Sequence, residues 1–483
     1  MNQIVLDSCS LTAQAVQPAC VCSGRSGQPV PPAVRCHSYT NHLFARLFLT
    51  LLASAFVPTW AIGDGETGTI ACARIVSAAL EHSVALGVAD NELLASKAKG
   101  RQMTAQELPS LDLELKAARC QGLEDMVLGP ITIPAVESRY GASISLLQPV
   151  YTGGRLSSLR QCAALQERAV ESIRSGVKAD VVLQALTAYW GWSKAFQAVD
   201  VLDAAVSRMT AHSADIHNMH VAGLATDNEV LTTDVLVERT CLSLEQAQRQ
   251  VELARARLSF IAGIELSSNS VPETAAEPDE TDIRVECGVT DLALNKRPER
   301  TAREMEAGAA KELARAARGS FRPQIFFTAR YEQANPNMLY IPPADAWNGD
   351  AFAGVSVSWN VLDWGLTRAR AEEADARIAQ AQLRLRQQEE LITLEVKEAQ
   401  ITMRDAMERV VLAAKVLKSA RLNLDSATEL WKNGVARHSD VLDAHARLTD
   451  AQFEVAVSLT DVTLARAALA HATGQTLSTA AER

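Results

Sequence analysis

The stretch His220-Val-Ala-Gly-Leu-Ala-Thr-Asp-Asn-Glu-Val-Leu231 returns as Trp431-Lys-Asn-Gly-Val-Ala-Arg-His-Ser-Asp-Val-Leu442. Gly434 follows Gly223 by 211 residues (434 − 223). The same interval separates Pro149-Val-Tyr-Thr-Gly-Gly154 from Asn360-Val-Leu-Asp-Trp-Gly365, and Gly263 from Gly474. Upstream, Ala79-Leu80 answers to Ala293-Leu294 and Pro109 to Pro323, both at 214. The chain is therefore a two-fold internal repeat, a feature to settle before any motif is read. The first copy carries three extra residues (214 − 211) between Pro109 and Ala142, where a strand-to-strand loop absorbs insertions.

Proline-free runs lead into both quoted stretches, from about Leu156 to Asn218 and from Thr367 to Lys432. At ~1.5 Å per residue, helices of that length reach roughly 95–100 Å. Glycine costs about 1 kcal/mol relative to alanine inside a helix, so Gly223 and Gly434 mark corners. The chain then returns to about Ile261 and Ala472. Leu231, Val235 and Leu242, like Leu442, Ala446 and Phe453, recur near heptad spacing and predict a coiled-coil seam.

Each half begins with a helical stretch, Arg74 to Met103 and Asp291 to Arg318. A strand follows, Ser110 to Ala118 and Gln324 to Tyr331, then a polar loop and a second strand. Ala142, Ile144 and Leu146 share one face of the first half's second strand. Val355, Val357 and Trp359 share a face in the other half, opposite Ser356 and Ser358. One apolar and one small polar face suit a barrel wall with lipid outside and water inside. Tyr140, Tyr331, Trp347 and Trp359 are placed for an interfacial aromatic girdle. Four strands cannot close a barrel, because the smallest membrane barrels need about eight. Several copies are required, and two to four satisfy the physics.

The 483 residues carry a formal net charge of −10 with no basic block, which disfavours a nucleic-acid partner. Residues 1–61 read as a leader: arginines, no acid between Ser8 and Gly63, the apolar run Leu47 to Val57, then small Thr59 and Ala61. Cys72, Cys120, Cys162, Cys241 and Cys287 lie beyond it, scattered and without a metal or disulfide pattern, and Cys72 is a poor match to a lipid-anchor box. His212, His217 and His220 lack zinc-helix spacing and read as surface or core residues. Tyr189, Trp190 and Trp192 read as interhelical packing. No catalytic or cofactor motif is present, so no enzyme, cofactor or metal is expected. The organisation is leader 1–61, first repeat 62–266, linker 267–288, second repeat 289–477 and tail 478–483.

Over nearly its whole mature length the chain resembles the TolC-type outer-membrane efflux factors. The resemblance rests on Pro149 to Gly154, Arg322-Pro323, Trp359 to Gly365, and Gly434 to Ala444 followed by Gly474. It implies a mixed α and β membrane fold: a homotrimer with a twelve-stranded β-barrel in outer-membrane lipid above a periplasmic α-helical tunnel. It implies docking to a periplasmic adaptor and an inner-membrane transporter, with the helix tips Gly223-Leu224-Ala225-Thr226 and Gly434-Val435-Ala436 at the adaptor contact. It places Asp440 and Asp443 at the periplasmic entrance and matches Glu229 to a gating aspartate. Arg437 stands one position from the family's gate arginine. Pro149, Gly153, Gly154, Asp363 and Gly365 form the strand-to-helix turns. Within the family, overall likeness is greatest to the outer-membrane component of a type I secretion system. That would serve an ABC transporter exporting a cyclolysin- or haemolysin-like toxin. The alternatives are a duct for drug or metal efflux and, in another class, a periplasmic coiled-coil scaffold or adaptor without a barrel.

Overall fold

The computed structural model describes residues 68–122, 124–133, 135–273, 288–341 and 345–475. The expected leader, residues 274–287 of the linker with Cys287, and the tail 478–483 lie outside the described residues.

The helical stretch that opens each half is two helices, not one. In the first half these are α1 (Cys72–His82) and α2 (Val84–Ala105); in the second, α5 (Val289–Lys296) and α6 (Pro298–Gly319). The breaks fall at Ser83 and Arg297, which are 214 apart (297 − 83). Each has a local cause. Ser83 accepts the Leu86 N–H at 3.3 Å and so caps α2. Pro298 opens α6, where its missing N–H is no loss and its ring pre-sets φ.

The main sheet is antiparallel, in the order β2 (Ser110–Arg119), β5 (Ser138–Tyr151), β7 (Gln324–Asn335), β8 (Asn348–Ser358). The repeat is written into its register. Ser110 pairs with Leu147 and Gln324 with Ser358, so the partners shift by 214 and 211. The strand expected to end at Tyr331 continues to Asn335. The loop after β2 is not irregular throughout. Met126-Val-Leu128 and Ile131-Thr-Ile133, on either side of Gly129-Pro130, pair as the hairpin β3 (Met126–Leu128) and β4 (Ile131–Ile133), turning at a Gly129 φ of 61°.

The two faces of the sheet differ sharply. Leu113, Ile144, Tyr331 and Ala351 lie abreast across the four strands, as do Leu111, Leu146, Ala329 and Ala353. One residue along, on the opposite face, lie Glu114, Ser143, Glu332 and Asp350, with Asp112, Ser145 and Arg330 in the next row beside one apolar exception, Phe352. Leu113 is 71% exposed in the single chain. Strands β2 and β8 each leave one edge unpaired in the four-stranded sheet.

Below the sheet run α3 (Arg155–Val221) and α4 (Asp227–Ala262), then α7 (Leu366–Lys432) and α8 (His438–Ala472). α3 and α7 each span 67 residues. The two hairpins are tied through α3 and α8: Lys194 Nζ meets Asp461 at 3.2 Å, Arg208 reaches Gln452 at 3.0 Å and His471 meets Asp180 at 2.8 Å. The buried seam of α8 includes Val441, Ala444, Leu448 and Ala451, and its alanines let the helices approach closely. Among the described residues, the heptad row expected to pack α4 does not do so. Leu231, Val235 and Leu242 are exposed, Val235 by 68%. The buried positions of α4 are others: Thr233, Leu258 and Ala262.

A second, smaller clip lies midway along the helices. β1 (Thr69–Ile70) pairs in parallel with β6 (Val271–Pro272). The Tyr189 hydroxyl donates to Ile70 O at 2.7 Å and accepts from Glu273 N at 2.8 Å. Tyr189 is fully buried, its ring edge-on to Trp192. Burial raises its phenol pKa, so it remains a donor at any working pH. Burial, and then Glu273, push the Cys72 thiol up to about 12. Tyr189→Phe strands one carbonyl and one N–H, and is expected to cost about 1–3 kcal/mol. The checks are a lower thermal midpoint and faster proteolysis near Ile70; an unchanged midpoint would mean the clip contributes nothing.

Candidate functional site

The helix corners repeat down to individual hydrogen bonds. Gly223 N donates to His220 O, and Gly434 N to Trp431 O, both at 2.9 Å. Leu224 N reaches Met219 O at 2.8 Å and Val435 N reaches Leu430 O at 2.9 Å. Each corner is thus a Schellman stop with a left-handed glycine, φ 75° at Gly223 and 73° at Gly434. Leu224 and Val435 project into solvent at the tips, with Ala225 and Ala436 partly covered.

The carboxylates singled out by resemblance serve the helix starts just beyond these corners. Glu229 accepts from Thr226 N at 2.8 Å and from its hydroxyl at 2.9 Å, while Thr226 Oγ1 accepts from Glu229 N at 3.3 Å. This capping box holds the Glu229 carboxyl below the usual range, through the backbone and then the hydroxyl bond. The spelling Thr226-Asp-Asn-Glu229 is the sequence signal for it. The equivalent in the second half is Arg437-His-Ser-Asp440, where Asp440 accepts from Arg437 N at 3.0 Å. Arginine has no acceptor, so only that half of the box forms. Asp443 lies on the exposed face of α8 with no such duty. Among the described residues, Arg437 makes no ion pair with Asp440, Asp443 or Glu229 within the chain.

The strand-to-helix turns need two successive left-handed residues. Gly153 and Gly154 supply φ 68° and 88°; Trp364 and Gly365 supply 54° and 88°. Trp364 is 91% exposed and carries a conformation that costs a non-glycine residue about 1–2 kcal/mol. Asp363 closes its turn by accepting from Gly365 N at 3.1 Å and Thr367 N at 2.8 Å. Thr152, its counterpart, accepts from Leu156 N at 3.3 Å. Pro149 sits in β5 against Phe326, where the pairing with β7 becomes irregular.

The three histidines of α3 part company. His217 and His220 are exposed, facing Asp234 at 3.7 Å and Asp227 at 2.7 Å on α4. His212 is buried. It stacks on His438 with centroids 5.2 Å apart, lies 5.4 Å from His445 and sits edge-on to Trp431 at 5.6 Å. These partners come from α7 and α8, and no spacing along the chain announces them. Among the described residues, no group of three or more His, Cys, Asp or Glu is placed to hold a metal ion.

A family model described as outer membrane efflux protein matches residues 75–264 and 289–475, one segment in each half. Outer membrane protein OprJ of Pseudomonas aeruginosa is 25% identical over 395 residues, covering 78% of this chain and 77% of OprJ. The toluene efflux pump outer membrane protein TtgI of Pseudomonas putida is 25% identical over 313 residues, 63% of this chain and 64% of that protein. The solvent efflux pump outer membrane protein SrpC of Pseudomonas putida matches to the same extent. The crystal structure of the outer membrane protein VceC from Vibrio cholerae superposes with a TM-score of 0.74 at 18% identity, covering 84% of this chain and 96% of VceC. CusC gives 0.73 at 18% identity, over 84% of this chain and 92% of CusC. The chain thus belongs to the outer membrane efflux protein family: it is a channel protein of the outer membrane that extends into the periplasm, and it is not an enzyme.

Proposed function

We propose that this protein is the passive outer-membrane duct of a tripartite efflux system. It works as a homotrimer with a periplasmic adaptor and an inner-membrane transporter. The observation that carries this reading is the four-stranded sheet, apolar on one face and polar on the other, with β2 and β8 unpaired at its edges. Open edges in lipid cost several kcal/mol per unpaired group, so the sheet requires neighbours. Three copies give twelve strands. The exposed row Leu231, Val235 and Leu242 offers those copies an apolar helix face. Tyr140 stacked on Trp347 at 6.5 Å, and Trp359 and Trp364 at the other end of the sheet, supply aromatic girdles.

For the cargo, two relatives named for solvent and toluene efflux pumps favour small apolar molecules. Toxin secretion through an ABC transporter rests on overall likeness alone and comes second. Deleting the gene separates them. The small-molecule reading expects cells hypersensitive to toluene and normal in protein secretion. Unchanged tolerance with a toxin missing from the medium would reverse the order.

The corners and their flanks form the adaptor contact and the entrance in this reading. Asp443, with Asp440 three residues away on the same helix face, becomes a ring of carboxylates in the trimer, which attracts cations as carboxylate rings do. Because Asp440 also caps α8, Asp443→Ala is the cleaner test. It is expected to raise the multivalent-cation concentration for half-block of single-channel current by about tenfold. Unchanged block would remove Asp443 from the entrance.

A further inference from the structure

His212, His438 and His445 join the two helical hairpins just behind their corners. His212 comes from α3 of the first hairpin; His438 and His445 come from α8 of the second, with Trp431 of α7 closing the cluster. The fourth helix is joined as well. Thr233 of α4 lies 2.9 Å from His438 Nε2, and its hydroxyl proton is given to Glu229 O at 2.7 Å. His438 Nε2 must therefore donate to Thr233. That leaves His438 Nδ1 bare, buried and without a hydrogen-bond partner, and His212 Nε2 is in the same condition. A proton arriving on either would place a charge face to face with another imidazole and with no acceptor.

The groups facing the cluster do not relieve this. His212 meets Asp215 of its own helix, an acid outweighed by burial, His445 and His438. His438 faces Glu229 of α4, which favours a proton there but is outweighed by burial, and one of its carboxylate oxygens accepts from Thr226. His445 faces Arg208 of α3 and His438. From α7 the neighbour is the uncharged Trp431. Burial, then His445 and His438, hold His212 down at about 4; burial also lowers His438 and His445. The sign follows. The packed cluster resists protons that parted hairpins would accept at an ordinary histidine value of about 6.5. Packing is thus fully favoured above about 6.5 and is progressively lost as pH falls toward about 4. Within the first hairpin, His217 and His220 lie against Asp234 at 3.7 Å and Asp227 at 2.7 Å.

We propose that the stack of His212, His438 and His445 is an acid-operated latch: protonation parts the two hairpins at their corners and makes the periplasmic end easier to open. The consequence for conduction rests on the duct reading; the parting itself does not. Two measurements on the full-length protein test it. In planar bilayers, acidifying the periplasmic side from about pH 7.5 to about pH 5.5 is expected to raise open probability several-fold, with a midpoint nearer histidine than carboxylate values. In hydrogen exchange corrected for intrinsic rate, amides of residues 226–233 and 437–445 are expected to lose protection over the same range. His212→Phe, which keeps an aromatic ring against Trp431 and cannot titrate, should flatten both responses; His445→Phe should weaken them if the first variant does not fold. Corners that stay protected at acid pH, or variants that keep the full response, would overturn the latch. A protein that conducts at no pH would sink the duct reading instead, and hydrogen exchange would still decide the latch.

Discussion

Leu113→Arg is expected to keep the protein out of the outer membrane, while Glu114→Arg, one residue on, leaves it there. The two positions are neighbours in sequence and opposites in the sheet. Leu113 lies abreast of Ile144 and Tyr331; Glu114 lies abreast of Ser143, Glu332 and Asp350. An arginine on the lipid face near the midplane costs about 2–4 kcal/mol, and an assembly meets that cost once per copy. On the polar face a new arginine joins Glu332 and Asp350 across the strands, in water. The check is the share of each variant recovered as heat-resistant oligomer from purified outer membranes. Equal recovery of both would mean that the face assigned to lipid is wrong.

Gly153→Ala is expected to be the most damaging single-methyl change in the strand-to-helix turn, and Gly154→Ala a mild one. Both glycines have positive φ, so both variants carry left-handed strain of about 1–2 kcal/mol. They differ in surroundings. A Cβ on Gly154 meets open space, whereas one on Gly153 overlaps the Gly319 carbonyl at the end of α6. That atom is backbone and cannot swing aside, so overpacking adds about 1–3 kcal/mol more. The site is where sheet, α3 and α6 converge, and its distortion spreads to both layers. Chemical unfolding of the two variants in detergent is the measurement. Equal midpoints would show that Gly319 yields freely.

Much of this was legible from the repeat. The 211-residue interval places both corners and both turns, and the step to 214 isolates the loop between β2 and β5. Local signals resolve finer points when read. Pro298 marks the break before α6, and Thr226-Asp-Asn-Glu229 spells the capping box that occupies a residue otherwise taken for a gate alone. What periodicity could not supply is the partner of each face. The row of Leu231, Val235 and Leu242 has coiled-coil spacing, yet it stays exposed among the described residues. The cluster of His212, His438 and His445 is assembled by three-dimensional packing from helices more than 200 residues apart, and such neighbours leave no mark along a single sequence.

The central claim is that one chain is a fraction of a wall. Its most direct test is the mass of the detergent-extracted assembly by native mass spectrometry, taken together with conductance of the same sample. Three copies of the mature chain and a conducting pore are the expected result. A single chain that conducts, or a stable assembly of two, would contradict it.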